Sequence, residues 1–164
     1  MDNCETSYFS NFYHCPFVDD KTQITFNNVE QYFQYYKAAL FKDEETQREI
    51  LNADTPYEAK RLGGRVRNFQ ESLWNERRIA IMDDALSLKF SVPRMRIILK
   101  NFYEGTSRSS RKRTFIEISA SRFWGCSPAI MNNTFNSNNF SCSNHYGSNM
   151  LGKSITRLAE SLFN

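Results

Sequence analysis

The amino-acid sequence predicts a mainly α fold with small β elements, an α+β arrangement in a single domain over residues 1–164. Three observations predict it. Helix start and stop signals recur between residue 28 and about residue 105. Apolar residues flank a polar turn near the N-terminus, and a β-branched run recurs at 114–119. Aromatics make up 15% of a 164-residue chain, enough for one core and hardly for a second.

Each element follows from local chemistry. The first 26 residues read as extended, with Phe9, Phe12, Tyr13, Phe17, Ile24 and Phe26 around the turn Asp19-Asp20-Lys21-Thr22, a hairpin-like signal. Asn27 or Asn28 can cap a helix over Val29–Phe41. Asp43-Glu44-Glu45 opens a second helix with acids at its positive end. Thr55-Pro56-Tyr57-Glu58 starts a third, with proline in the first turn, and Gly63-Gly64 stops it. A long helix is expected from about Gln70 to Leu88, and another from Pro93 to near Gly105. A basic polar loop follows over Thr106–Arg113, then a strand over Thr114–Ser119. No Asp, Glu, Lys or Arg occurs from Phe123 to Gly152, and Asn and Ser crowd that stretch, so it reads as a long loop. Its Phe135, Phe140 and Tyr146 argue that it packs on the body. A last helix is expected over about Met150–Leu162.

Composition excludes several classes. The net charge of +3 is too small for an obligate nucleic-acid coater, although a local basic patch fits. No apolar run approaches the roughly 18 residues of a membrane span. The start, Met1-Asp2-Asn3-Cys4-Glu5, lacks the order of a signal peptide. The expected location is therefore the cytoplasm, with the nucleus as the other candidate, and no membrane partner is expected. Cys4, Cys15, Cys126 and Cys142 contain no C-x-x-C pair, so reduced thiols are expected rather than a zinc site, despite the nearby His14 and His145. No metal or cofactor is called for.

Four constellations could carry chemistry. Glu30, Phe33, Gln34, Lys37 and Phe41 share one helix face. Glu30 and Lys37 lie two turns apart, about 10.5 Å along the axis. A lysine desolvated among aromatics has a lowered pKa and can attack a sugar C1′ as an amine. On spacing alone, the plainer reading is a snorkelling Lys37 and a solvated Glu30. Trp74, Arg78 and Met82 form a second stripe, able to hold a base or a phosphate, or simply to pack the core. Gly147–Gly152 precedes the last helix, where backbone N–H groups could bind an anion or merely cap. The run Arg108, Arg111, Lys112, Arg113 could meet phosphates or be a solvated loop.

Taken in order, these stretches resemble the NADAR family. SNFYHCPF (10–17) and ITFNNVEQYFQYYKAALFKD (24–43) look like its opening, in which a glutamate-bearing helix carries a lysine seven residues on. TPYEAKRLGGRV (55–66), the W-x-x-x-R-x-x-x-M spacing at 74–82 followed by Lys89-Phe90, IEIS (116–119), Trp124-Gly125 and GSNMLGK (147–153) are similar to its later blocks. The resemblance implies a mainly α fold and cleavage of N-glycosidic bonds in phosphorylated ribosyl nucleotides. Substrates in the family include phosphoribosylamino-pyrimidine intermediates of riboflavin synthesis and ADP-ribosylated guanine, so ADP-ribosylated DNA is a candidate partner. It further implies Glu30, Lys37 and Trp74 as the catalytic set: Lys37 forming a Schiff base with ring-opened ribose, Glu30 handling protons and Trp74 stacking on the base. Arg65, Arg78 and Asn149 would hold phosphate or ribose, and Asn11, Ser121 and Trp124 complete the substrate-binding set. Where the family pattern has an aspartate three residues before Trp-Gly, this chain has Ser121. A serine cannot act as a carboxylate base, and Glu117 is a candidate substitute. The alternative expectation is therefore a catalytically weak ADP-ribose or nucleotide-binding module.

Overall fold

A computed structural model describes residues 7–105, 113–127 and 147–164. The chain divides into two compact units, residues 1–98 and 99–164.

Unit 1 begins with turns, not the extended chain expected for residues 8–13. Ser10 and Tyr13 donate their N–H groups to the carbonyls of Ser7 and Ser10, closing successive turns. The hairpin comes after them. Strands β1 (Phe17–Val18) and β2 (Thr25–Phe26) pair antiparallel, with Phe17 opposite Phe26. The turn between them is held by Asp19, whose carboxylate accepts from Lys21 N at 3.0 Å, Thr22 Oγ1 at 2.9 Å and the Tyr36 hydroxyl. Burial pushes Asp19 up, but these hydrogen bonds together outweigh it and hold the carboxyl below its usual value.

Helix α1 (Val29–Leu40) starts at Asn28, whose side chain accepts from Gln31 N at 2.9 Å. Gln31 in turn accepts from Asn27 N and donates to the carbonyls of Ile50 and Leu51. One buried amide thus joins the start of α1 to the end of α2 (Glu44–Leu51). Helix α3 (Pro56–Gly63) is capped by Thr55, and α4 (Glu71–Ser91) runs a few residues beyond the expected Leu88. Helix α1 packs against α2, α3 and α4, so it is the central element of the unit. Its packing uses much of the aromatic content: Tyr32, Tyr35 and Tyr36 of α1 meet Phe26 of β2 edge-on or tilted. Helix α5 (Pro93–Glu104) carries the chain into unit 2.

In unit 2, helix α6 (Met150–Phe163) matches the expected last helix. The expected strand over 114–119 does not form. Its backbone is bonded partly by side chains: Phe115 N donates to Thr156 Oγ1 at 3.0 Å, and the Asn149 amide binds Phe115 O and Glu117 N, while Glu117 O and Ser119 N pair with the backbone of Cys126. Only an isolated bridge, Ile118 to Cys126, remains. An apolar β-branched run signals extended backbone, not the partner strand that a ladder needs. Cys15 is a buried free thiol. Cys126 is disulfide-bonded, which corrects the expectation of reduced thiols. Missing C-x-x-C spacing argues against a zinc knuckle but says nothing of a pair distant in sequence. No helix among the described residues is long and apolar enough to cross a membrane. Cys4, the basic run 106–112 and the loop 128–146, with Phe135, Phe140, Cys142, His145 and Tyr146, lie outside the described residues.

One buried charge fastens the first turns to α4. Lys89 is fully buried, and its Nζ donates to Ser10 O at 2.8 Å between the rings of Tyr13 and Phe90. Burial pushes its pKa down to about 8, with Cys15 a small opposing influence. Between that value and the ordinary lysine value of about 10.4, the unfolded chain binds the proton and the folded chain does not, so stability rises with pH. Urea melts of the parent should therefore gain stability from pH 8 to pH 10, relative to Lys89→Met. Equal pH profiles for the two would show that Lys89 is not desolvated.

Candidate active site

The site is built on the polar face of α1. Glu30 sits in the first turn, and its N–H donates to Asn11 O at 3.1 Å. Its side chain is 6% exposed. Glu30 Oε1 accepts from Gln34 Nε2 at 2.8 Å, one turn further on. Burial raises the Glu30 pKa, while Gln34 and the charges of Lys60 and Lys37 oppose the rise.

Lys37 is half-buried in the last turn of α1. Its Nζ donates to Gly63 O at 2.8 Å, a C-terminal carbonyl of α3 that has no helical partner of its own. The amine lies 4.8 Å from the centre of the Phe69 ring and 5.6 Å from that of Trp74. Trp74 packs on Phe33 with centroids 5.0 Å apart. Burial lowers the Lys37 pKa, and the Glu30 carboxylate offsets part of that. Among the described residues no carboxylate forms an ion pair with Lys37. The arrangement is a desolvated amine and a desolvated carboxyl on one helix face, walled by aromatic rings.

The wall is held by a brace outside it. Asp43 caps α2 by accepting from Thr46 N and Oγ1, and its buried carboxylate also accepts from Arg67 N, Nε and Nη2. Arg67 holds the Asp43 carboxyl far below the usual range, despite burial. The brace pins the segment after α3. Two residues further on, past the left-handed Asn68 (φ 57°), Phe69 packs on Phe41 and faces Lys37.

The other expected site residues in unit 1 fall as follows. Asn11 Nδ2 lies 3.6 Å from Met82 Sδ, while Asn11 Oδ1 is buried with no hydrogen-bond donor among the described residues. Arg78, one turn beyond Trp74 on α4, is half-buried, and burial lowers its pKa against a small effect of Glu71. Arg65 follows α3 and is exposed. In unit 2, Ser121 is exposed and its Oγ accepts from Trp124 N at 3.2 Å, capping the turn that Trp124 ends. Asn149 is 5% exposed at φ 50°, and both ends of its amide are taken by the backbone of Phe115 and Glu117. Gly152 makes room for this clamp, since a Cβ there would overlap Phe115 O.

The family model for the NADAR domain matches residues 1–163. The chain belongs to the NADAR family. Among relatives, N-glycosidase R617 of Acanthamoeba polyphaga mimivirus is 28% identical over 134 residues, which is 81% of this chain and 72% of that protein. The NMR structure of the E. coli protein YbiA superposes with a TM-score of 0.66 at 26% identity, covering 94% of this chain and 77% of that one. The mainly helical fold with a two-stranded sheet agrees with the expectation for a NADAR chain.

Two neighbours of the site were not singled out by the sequence reading. Phe69 is 44% exposed beside the amine, more open than Trp74 at 9%. It follows a loop, so no helical periodicity marks it. Gly63 reads as a helix stop, and nothing in a sequence shows whose side chain its carbonyl meets. Glu30→Gln preserves the acceptor for Gln34 and removes a buried ionisable group. At pH 7 it should stabilise the protein by about 1 kcal/mol in urea melts. Because the folded-state pKa of Glu30 is raised, the parent recovers stability as pH falls through it, and the difference should vanish near pH 4. A Glu30→Gln variant less stable than the parent at pH 7 would contradict this.

Proposed function

We propose that this NADAR protein is an N-glycosidase acting on a phosphorylated ribosyl-base, with Lys37 as the nucleophile and Glu30 as the proton-transfer group. The observation that carries the reading is the Lys37 amine, held at 2.8 Å by Gly63 O without a carboxylate ion pair and lowered in pKa by burial. The similarity to the mimivirus N-glycosidase R617 supports the reaction class.

In the proposed mechanism the neutral amine donates one hydrogen to Gly63 O and keeps its lone pair for the sugar C1′. A C1′–N bond to Lys37 forms as the C1′–N bond to the base breaks. The base leaves with the proton of Glu30, whose pKa is raised by burial. Loss of an amine proton to Glu30 and cleavage of the C1′–O4′ bond, with O4′ protonated, give the Schiff base. Water then adds to C1′, and Lys37 departs as the amine. The net change is one water consumed, with free base and free sugar released. Trp74 and Phe69 keep water from the amine, and Phe69 is the ring open enough to meet the base. Asn11 Oδ1, a buried acceptor, suits a sugar hydroxyl. Arg65 and Arg78 are the cations of unit 1 assigned to phosphate. Phosphoribosylamino-pyrimidines and ADP-ribosyl-guanine are the proposed substrates, the latter in a nucleotide or in DNA.

A second reading is favoured by Ser121, which caps a turn where the family pattern has an aspartate. On that reading the protein binds ADP-ribose or a nucleotide and turns it over slowly. Both are tested together by incubating the parent, Lys37→Ala and Ser121→Asp with each substrate and following base release, with borohydride added to reduce any Schiff base. The parent should release base and form a borohydride-stable adduct at Lys37. Lys37→Ala should lose about 10³-fold in rate and form no adduct. Equal release by parent and Lys37→Ala would sink the enzymatic reading. Aspartate can keep the Trp124 cap. Binding without release by the parent, joined to release by Ser121→Asp, would establish the second reading.

A further inference from the structure

We propose that Gly63 is a positioning residue that locks the Glu30 and Lys37 side chains into one arrangement, through its carbonyl on one side and its missing side chain on the other. The inference rests on the catalytic assignment above but uses different atoms. Gly63 O fixes the Lys37 amine at 2.8 Å. The space beside the Gly63 Cα is meanwhile filled by the Gln34 side chain: a Cβ built there would be 2.5 Å from Gln34 Cδ and 2.9 Å from Cγ, and closer still to Oε1. That amide cannot turn away without cost, because its Nε2 holds Glu30 Oε1 at 2.8 Å. Gly63, Gln34 and Glu30 are therefore stacked in series, with Gly63 and Gln34 both buried.

The left-handed conformation is not the reason for glycine here, since Gly63 is the last residue of α3 and is absent from the positive-φ glycines. Space is the reason. A methyl group at 63 meets the far end of a flexible side chain, so α3 need not move. The Gln34 amide must swing aside, and the hydrogen bond to Glu30 goes with it. That bond favours the carboxylate, so its loss moves the Glu30 titration upward. The proton-transfer group would then be mistuned while the fold and the substrate contacts stay in place.

The test compares the parent with Gly63→Ala, Gln34→Ala and the double variant. Carbon-13 NMR follows the Glu30 side-chain carboxyl, assigned by its disappearance in Glu30→Gln. Gly63→Ala should shift the Glu30 titration upward and Gln34→Ala should do the same. In the Gln34→Ala background the added Gly63→Ala should shift it no further, because the amide through which Gly63 acts is gone. With ADP-ribosyl-guanine, kcat should fall about tenfold in Gly63→Ala with KM little changed, and the basic limb of the pH profile, which reports loss of the Glu30 proton, should move with the NMR value. An unmoved Glu30 titration in Gly63→Ala, or additive shifts in the double variant, would overturn the proposal. An inactive parent would count against the catalytic reading alone, since the titration still decides the coupling. Should Gly63→Ala not fold, Gln34→Leu removes the amide while leaving residue 63 untouched, and an unmoved Glu30 in that variant overturns the proposal equally.

Discussion

Unit 1 is governed by the cost of burying ionisable groups on its central helix. A carboxyl and an amine placed in a low-dielectric interior destabilise the fold unless other groups compensate. A direct ion pair would be the simplest compensation, and α1 does not use it. Glu30 is satisfied by Gln34, and Lys37 by the end of α3. Each group has its own neutral partner at hydrogen-bond distance, and the two act on each other only as more distant charges. An ion pair would hold both groups in their charged forms.

That solution requires α3 and the segment after it to be held tightly, and the Asp43–Arg67 brace does this from the far side. A buried carboxylate that caps one helix and accepts from the side chain and backbone of Arg67 fixes where α3 hands over to α4. Phe69 then falls between Phe41 and the Lys37 amine. The brace and the site are complementary. The brace carboxylate is held ionised by five hydrogen bonds, while burial in the site raises the Glu30 pKa and lowers that of Lys37.

The helices of unit 1 were legible because their signals are local. Asn28, Asp43 and Thr55 each cap the helix that follows, and Pro56 lies in a first turn as expected. The Glu30–Lys37 face was legible from spacing, since i, i+4 and i+7 positions share a face in any helix. Its burial was not, because that depends on which elements cover it. Gly63 and Phe69 touch Lys37 across 26 and 32 positions of sequence, a contact that no periodicity encodes. The strand expected at 114–119 failed for the converse reason. Its residues favour extended backbone, but among the described residues its partners are the amide of Asn149, the Thr156 hydroxyl and a single bridge to Cys126, too little for a ladder. The family resemblance implied a phosphate or ribose contact for Asn149, and in the structure its amide bonds to the backbone of Phe115 and Glu117.

The link between Lys89 and Ser10 sets the order in which this architecture can be completed. The two residues are 79 positions apart, and the turn they fasten presents the Asn11 carbonyl to the first turn of α1. Helices α1 to α3 close on one another through much shorter loops, which form sooner because less chain entropy is lost. During synthesis from the N-terminus, the opening turns must wait for most of α4 before their buried cation exists. The segment written first therefore gains this contact only after residue 89 has been made.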